Sequence, residues 1–180
     1  MTTGQFDVVC VGNALVDVQA KVEDSFVAKH GPAKGGMRLV DAAQAEAIYH
    51  DLPPAHETSG GSGANSIAVL ASLGGKGGFI GRVAADELGA VFAHDLKAQG
   101  VAFAEAARDT AEPTGRCLIA VTPDGERTMN TSLGCNVNFG PADLSASMIE
   151  SAKVLLLEGY LFDKPHSKEA FRAAVKIATT

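Results

Sequence analysis

Six consecutive residues, Gly60-Gly61-Ser62-Gly63-Ala64-Asn65, carry the densest chemical signal in the chain. They follow a strand-like stretch and open a helix-like one. Bare backbone N–H groups therefore gather at a helix N-terminus, where an anion or polar oxygens can be held. Two adjacent glycines also adopt dihedrals closed to other residues, so the same loop can act as a hinge. A tight strand-to-helix turn with no ligand satisfies the spacing equally well. The second signal is Asp17, just beyond Gly12-Asn13-Ala14-Leu15-Val16. Open α/β sheets bind ligands at the C-terminal ends of their strands, where this carboxylate lies. The alternative is an exposed face of an edge strand. Two familiar phosphate loops are excluded. The first strand ends in Gly12-Asn13-Ala14-Leu15 rather than a dinucleotide GxGxxG. A GxxxxGK[ST] loop would need Gly where Leu70 stands and Ser or Thr where Gly77 follows Lys76.

These residues need elements to position them. Phe6 to Val11 is a short apolar run ended by Gly12-Asn13, as in a buried parallel strand. Val16 to Val22 alternates in part and suits a more exposed strand. Asp41 and Gln44 have capping-box spacing at the head of a helix that Pro53-Pro54 ends. Ala64 to Leu73 is an apolar helix closed by Gly74-Gly75, and Gly78 to Val83 is a strand. Asp86 caps an amphipathic helix with Leu88, Val91, Phe92 and Leu96 on one face and Gly100 at its end. Thr114 to Leu133 reads as two strands joined by Pro123-Asp124-Gly125. Pro141 to Ser151 suggests a helix, Lys153 to Leu157 a buried strand, and Ser167 the cap of a last helix. Alternating β and α units imply a layered α/β fold with a parallel sheet, and the extra strands a small β-rich lid. The last helix runs to Thr180 with no stop signal, so the chain is expected to be cut rather than finished.

The 180 residues suffice for one core. With 46% hydrophobic and 20% charged residues the composition is that of a soluble globular protein, and the net charge of −6 argues against general affinity for nucleic acid or anionic membrane. Cys10, Cys117 and Cys135 have no metal-binding or redox spacing. His30, His50, His56, His94 and His166 form no ligand or dyad pattern, so no metal site is expected. With no signal peptide or membrane span in the pattern, a cytoplasmic protein is expected.

Three segments resemble one family. GNALVD, SGGSGAN with SIAVLASLGG after it, and FIGRVAADELG are together similar to the ribokinase-like (PfkB) kinases. That family's N-terminal signature is a double glycine, an Asn, and a downstream Gly-x-x-x-x-Asp-x-x-Gly, here Gly60-Gly61, Asn65, Gly81, Asp86 and Gly89. PTGRCLIAVTPDGERTMNTSLGCN resembles its adenosine-kinase branch and related bacterial sugar kinases. The resemblance implies a three-layer α/β/α fold, with lid strands within about residues 15–40, 55–61 and 114–133. It implies that Asp17 and Asn65 accept and donate hydrogen bonds to substrate hydroxyls from two sides, and that Gly60 and Gly61 form the hinge of the lid. Asn13 matches a residue near the nucleoside. Cys117, Met129 and Leu133 match walls of the nucleobase site, and Met37 a lid contact. Arg127 resembles a contact of the transferred phosphate, with a solvated residue after the turn as its alternative. Glu158 matches a residue that meets the sugar or a structural network. Asp86 is expected to cap its helix rather than touch ligand.

The family's second signature, Asp-Thr-x-Gly-Ala-Gly-Asp, is missing from the chain. Its last Asp is the base, and its glycines hold the γ-phosphate. The resemblance therefore implies that ATP and Mg2+ are used by a longer protein and that no catalytic base lies in this chain. On this reading the complete enzyme phosphorylates a hydroxymethyl group of a ribonucleoside, adenosine first, or of a sugar, and the 180-residue chain alone is inactive. A non-catalytic polyol- or nucleoside-binding module, or a split subunit, is the competing reading. A nicotinamide oxidoreductase is disfavoured by the absent fingerprint. Exposed lid strands would allow a homodimer.

Overall fold

The computed structural model describes residues 5–105 and 111–179. In chain order the elements are β1 (Phe6–Val11), β2 (Leu15–Lys21), α1 (Asp24–His30), β3 (Met37–Leu39), α2 (Ala42–Asp51), β4 (His56–Gly60), α3 (Ser62–Ser72), β5 (Gly77–Gly81), α4 (Glu87–Ala98), β6 (Ala102–Glu105), β7 (Gly115–Val121), β8 (Arg127–Ser132), α5 (Ala146–Glu150), β9 (Ala152–Leu157) and α6 (Pro165–Ala178). Short 3-10 turns cover Gly134–Asn138, Pro141–Asp143 and Gly159–Leu161.

Four strands form a parallel sheet in the order β6-β5-β1-β9. Side chains of β1 alternate between its two faces, as the period of two demands. Cys10 joins Ile67 of α3 and Phe92 and Leu96 of α4 in one core. Val9 and Val11 join Ile149 of α5 and Ala170, Phe171 and Ala174 of α6 in the other. The fold is thus a layered α/β/α arrangement. The chain leaves β1 toward β5 with helices on one face, and reaches β9 on its other side with helices on the opposite face. That reversal opens a crevice beyond the carboxyl ends of β1 and β9.

The second sheet has the order β3-β8-β7-β2-β4. The strands β2 and β7 run parallel, and so do β3 and β8, whereas β2–β4 and β7–β8 are antiparallel. Val16 and Val18 of β2 and Leu118 of β7 turn to the core, against Ala45 and Ile48 of α2. The alternate residues face the other way.

The caps follow local chemistry. Gln44 N–H donates to Asp41 Oδ1 at 2.7 Å and Asp41 N–H to Gln44 Oε1 at 3.2 Å, completing the box that starts α2. Asp86 Oδ1 accepts from Gly89 N–H at 2.8 Å and from the Thr114 hydroxyl at 2.6 Å, and Oδ2 accepts from Thr114 N–H at 2.8 Å. Burial raises the Asp86 carboxyl pKa, but these donors outweigh it and leave the pKa below its ordinary value of 3.8. A Cβ at Gly89 would lie 3.0 Å from the Thr114 hydroxyl oxygen, so this knot requires glycine.

Several expectations need correction. Between the strands expected within about residues 15–40, residues 24–30 form α1, which buries Val27 and packs Phe26 against the same cluster. The helix expected over Pro141 to Ser151 is broken into a 3-10 turn and α5. Ser167 does not cap α6. Pro165 starts that helix, and the Ser167 hydroxyl donates to the Phe139 carbonyl at 3.0 Å. The strand β9 is not fully buried. It lies at the edge of its sheet, and Val154 is 54% exposed because α3 does not reach that far across. Among the described residues no helix is long and apolar enough to cross a membrane.

Candidate functional site

The site is built where the two sheets meet. The strand β1 ends at Gly12-Asn13 and the chain turns into β2; β4 ends at Gly60-Gly61 and turns into α3; β9 ends at Glu158. Glu158 joins all three. Its Oε2 accepts from Asn13 N–H at 2.7 Å and from Asn13 Nδ2 at 3.1 Å. Its Oε1 accepts from the Ser62 hydroxyl at 2.6 Å and from Gly63 N–H at 2.8 Å. Gly12 and Gly63 leave room for this, since a Cβ on either would come within 3.3 Å of a Glu158 oxygen. The expected anion-holding turn at the start of α3 is therefore filled by the protein's own carboxylate.

A second amide fixes the joint. Asn136 Oδ1 accepts from Ala14 N–H at 2.9 Å, and its Nδ2 donates to the carbonyls of Ala14 and Leu133, each at 2.9 Å. Asn136 is 1% exposed, and a Cβ at Gly115 would approach its Nδ2 to 2.7 Å.

Register then assigns the free face of the second sheet. Asp17 is level with Thr58 on β4 and with Cys117 on β7. Cys117 is level with Thr131, and Val121 with Arg127. Met129 pairs with Met37, and Thr131 with Leu39. Asp17, Cys117, Met129, Arg127 and Met37 thus share one face. Gly60 faces Asp17 so closely that a Cβ there would lie 2.6 Å from its Oδ2. Gly61 has φ of +91°, the left-handed region that glycine enters freely, and a Cβ would approach the Asn13 carbonyl oxygen to 2.9 Å.

Electrostatics set the protonation of this face. Burial raises the Asp17 carboxyl pKa, and the Arg127 guanidinium lowers it in part. Burial pushes the Cys117 thiol up to about 11, against the hydrogen bond donated by the Thr131 hydroxyl at 3.3 Å. Burial likewise lifts Cys10, beneath Glu158, to about 12 and Cys135 to about 11. All three cysteines are free, buried thiols.

A cavity of about 220 Å³ adjoins this face; Met37 lines it, whereas Asp17, Cys117, Met129 and Arg127 lie outside its lining. Leu15, Met37, Leu39, Leu133 and Tyr160 give it apolar walls, and Asn13, Ser62, Thr131 and Glu158 a polar floor. A larger cleft of about 750 Å³ lies between Lys21, Phe26, Pro53 and Pro123, away from the strand ends where the polar groups converge. Asn65 sits on the first turn of α3, exposed and outside the lining of the smaller cavity. Its side chain makes no hydrogen bond among the described residues. Reasoning from sequence missed Leu15, Leu39, Ser62, Thr131, Tyr160 and Asn136. For Thr131 and Leu39 the signal was available: they alternate with core residues on strands that carry other candidates. For Asn136 there was none.

Comparison with known proteins agrees with this layered arrangement. The family model for pfkB family carbohydrate kinases matches residues 5–180. The chain belongs to that family. A probable sugar kinase from Rhizobium etli CFN 42 superposes on this pfkB-family chain with a TM-score of 0.88 at 46% identity, over 98% of this chain and 53% of that one. The adenosine kinase from Sinorhizobium meliloti superposes with a TM-score of 0.87 at 46% identity, over 97% of this chain and 54% of that one. Guanosine-inosine kinase of Escherichia coli (strain K12) is 26% identical over 163 residues, which is 86% of this chain and 37% of that protein. The chain thus spans about half the length of these solved kinases and less of the curated relative. Its pfkB-family relatives include both nucleoside and sugar kinases.

Proposed function

We propose that this chain holds the alcohol substrate of an ATP-dependent kinase and that the substrate is a ribonucleoside, adenosine first. The observation that carries this is the cavity's division into apolar walls and a polar floor. A free sugar is polar all round and gains little from Leu15, Leu39 and Leu133. A nucleoside has a flat base for those walls and a diol for the acceptors. Asp17, and Asn65 brought in by movement about Gly60-Gly61, bind the ribose hydroxyls. Cys117, Met129 and Leu133 flank the base. The 46% identity to an adenosine kinase supports the same reading.

The acceptor is the hydroxymethyl oxygen, and closure of the second sheet would exclude water from it. Arg127, exposed at the start of β8, is the candidate contact for the transferred phosphate. Among the described residues no cluster of His, Cys, Asp or Glu could hold a metal ion. With the Asp-Thr-x-Gly-Ala-Gly-Asp signature missing from this sequence, ATP, Mg2+ and the base are assigned to the rest of the complete, cytoplasmic enzyme, and residues 1–180 alone should transfer no phosphate. Met37 and Leu39, 52% and 62% exposed on the edge strand β3, support a homodimer formed through that edge.

The test is a panel assay of the complete protein with ATP·Mg2+ against adenosine, inosine, ribose and fructose. Turnover highest with a nucleoside is expected. Turnover highest with ribose or fructose moves the substrate to sugars. Binding of adenosine with no turnover on any substrate favours a non-catalytic binding module.

A further inference from the structure

We propose that Glu158 does not touch the substrate but is a positioning residue, which turns the Asn13 side-chain amide so that Oδ1 faces the cavity as a hydroxyl acceptor. The inference rests on the nucleoside reading above and deepens it. Each Glu158 oxygen accepts from a backbone N–H, Asn13 on Oε2 and Gly63 on Oε1, and a backbone N–H can only donate. The Oε2 atom is therefore an acceptor, and the Asn13 atom 3.1 Å from it has to be the donor, Nδ2. The amide's other end, Oδ1, is left without a protein partner among the described residues, and Asn13 lines the cavity. Both Asn13 and Glu158 are buried, at 3% and 7% exposure, so the pair is sheltered from competing water.

The consequence is a site with two acceptors, Asn13 Oδ1 in the cavity and Asp17 on the adjoining sheet face outside its lining. A ligand matches it with two hydroxyl donors on adjacent carbons. A ligand with an acceptor at either place meets lone pairs. Glu158→Gln leaves an N–H₂ facing one of the two backbone donors; turned toward Asn13 it forces that side-chain amide to flip and puts a donor in the cavity, and turned toward Ser62 and Gly63 it leaves Asn13 as it is. The complementary change Asn13→Asp lets the new side-chain amide at position 158 donate to a carboxylate, which restores an acceptor at the same place.

The experiment uses the complete kinase, adenosine titration by calorimetry, and steady-state KM for adenosine and ATP separately. E158Q should raise the Kd and KM for adenosine about 10- to 100-fold with KM for ATP unchanged. The N13D/E158Q double variant should recover at least half of that loss on a logarithmic scale. A scaffold role alone predicts no recovery. Wild type that binds no nucleoside overturns the proposed function. Wild-type binding with the Asn13 amide flipped in E158Q and its affinity unchanged, or with no recovery in the double variant, overturns this inference alone. Should E158Q fail to fold, or keep the Asn13 amide unflipped in its own crystal structure, a crystal structure of the wild type with adenosine decides. Asn13 Oδ1 within about 3.2 Å of a ribose hydroxyl supports the inference, and a Glu158 oxygen on that hydroxyl overturns it.

Discussion

Replacing Asp17 by Asn separates the residue's effect on the fold from its effect on the substrate. Burial raises its carboxyl pKa above the ordinary value of 3.8, with Arg127 pulling the other way. An acid whose pKa is raised by folding binds more protons folded than unfolded. The associated stability is full below 3.8, falls as pH rises through the raised folded value, and stays low at neutral pH. D17N has no charge to bury. Its melting temperature should match wild type near about pH 4 and exceed it at about pH 7. Binding should move the opposite way. Asn keeps one acceptor, loses the charge, and points a donor at the diol. A hydrogen bond to a charged group contributes about 1.5–3 kcal/mol, and about 1.4 kcal/mol is tenfold in affinity. The adenosine Kd should therefore rise about 10- to 150-fold. The assay pairs melting curves across pH with calorimetric titration of the complete protein. D17N that melts below wild type at neutral pH would show that the carboxylate is held by the fold and not for a ligand. D17N that binds as well as wild type would refute the acceptor role.

Three further outcomes follow from the same geometry. Gly60→Ala places a methyl against the Asp17 carboxylate. Overpacking of this kind costs about 1–3 kcal/mol, and adenosine affinity should fall with a small drop in melting temperature, read by the same two assays. Arg127→Ala removes the cation that lowers the Asp17 pKa, so the acid limb of the adenosine-binding profile should move to higher pH, and the melting temperature at neutral pH should fall slightly. A fall in kcat with a fixed profile would instead assign Arg127 to the phosphate alone. Asn136→Ala leaves the buried N–H and C=O of Ala14 without their partner. At about 1–3 kcal/mol for each stranded group, thermal denaturation should come roughly 5–15 °C earlier.

Local patterns were legible in the sequence because their partners are near in the chain. Asp41 with Gln44, and Asp86 with Gly89, are three residues apart and show their geometry in their spacing. The layered fold was legible for the same reason: strand, glycine and amphipathic helix recur in order. Strand β6, only Ala102 to Glu105 after the turn at Gly100, is too short to show a pattern. Helix α1 was hidden because one buried residue makes no periodicity. At the site, residue types could be picked out from a resemblance, but their arrangement could not. Asp17, Cys117 and Thr131 come together through strand register, which no single segment encodes. The glycine turn read as an anion site because its filling carboxylate lies at Glu158, remote in sequence from Gly63. The role of Asn65 was read from its place in a motif, and its exposed position in the structure leaves that role to the binding experiments.

The bond between Asn13 and Glu158 joins residues 145 positions apart. A ribosome that has delivered the chain only as far as β8 has made the acid, the glycines and most of the apolar wall, but not their anchor. The pocket matures late, when β9 zips against β1 and closes this long loop. A nucleoside present during synthesis would thus find nothing to grip until the parallel sheet is complete, and would then stabilise the finished product rather than guide its making.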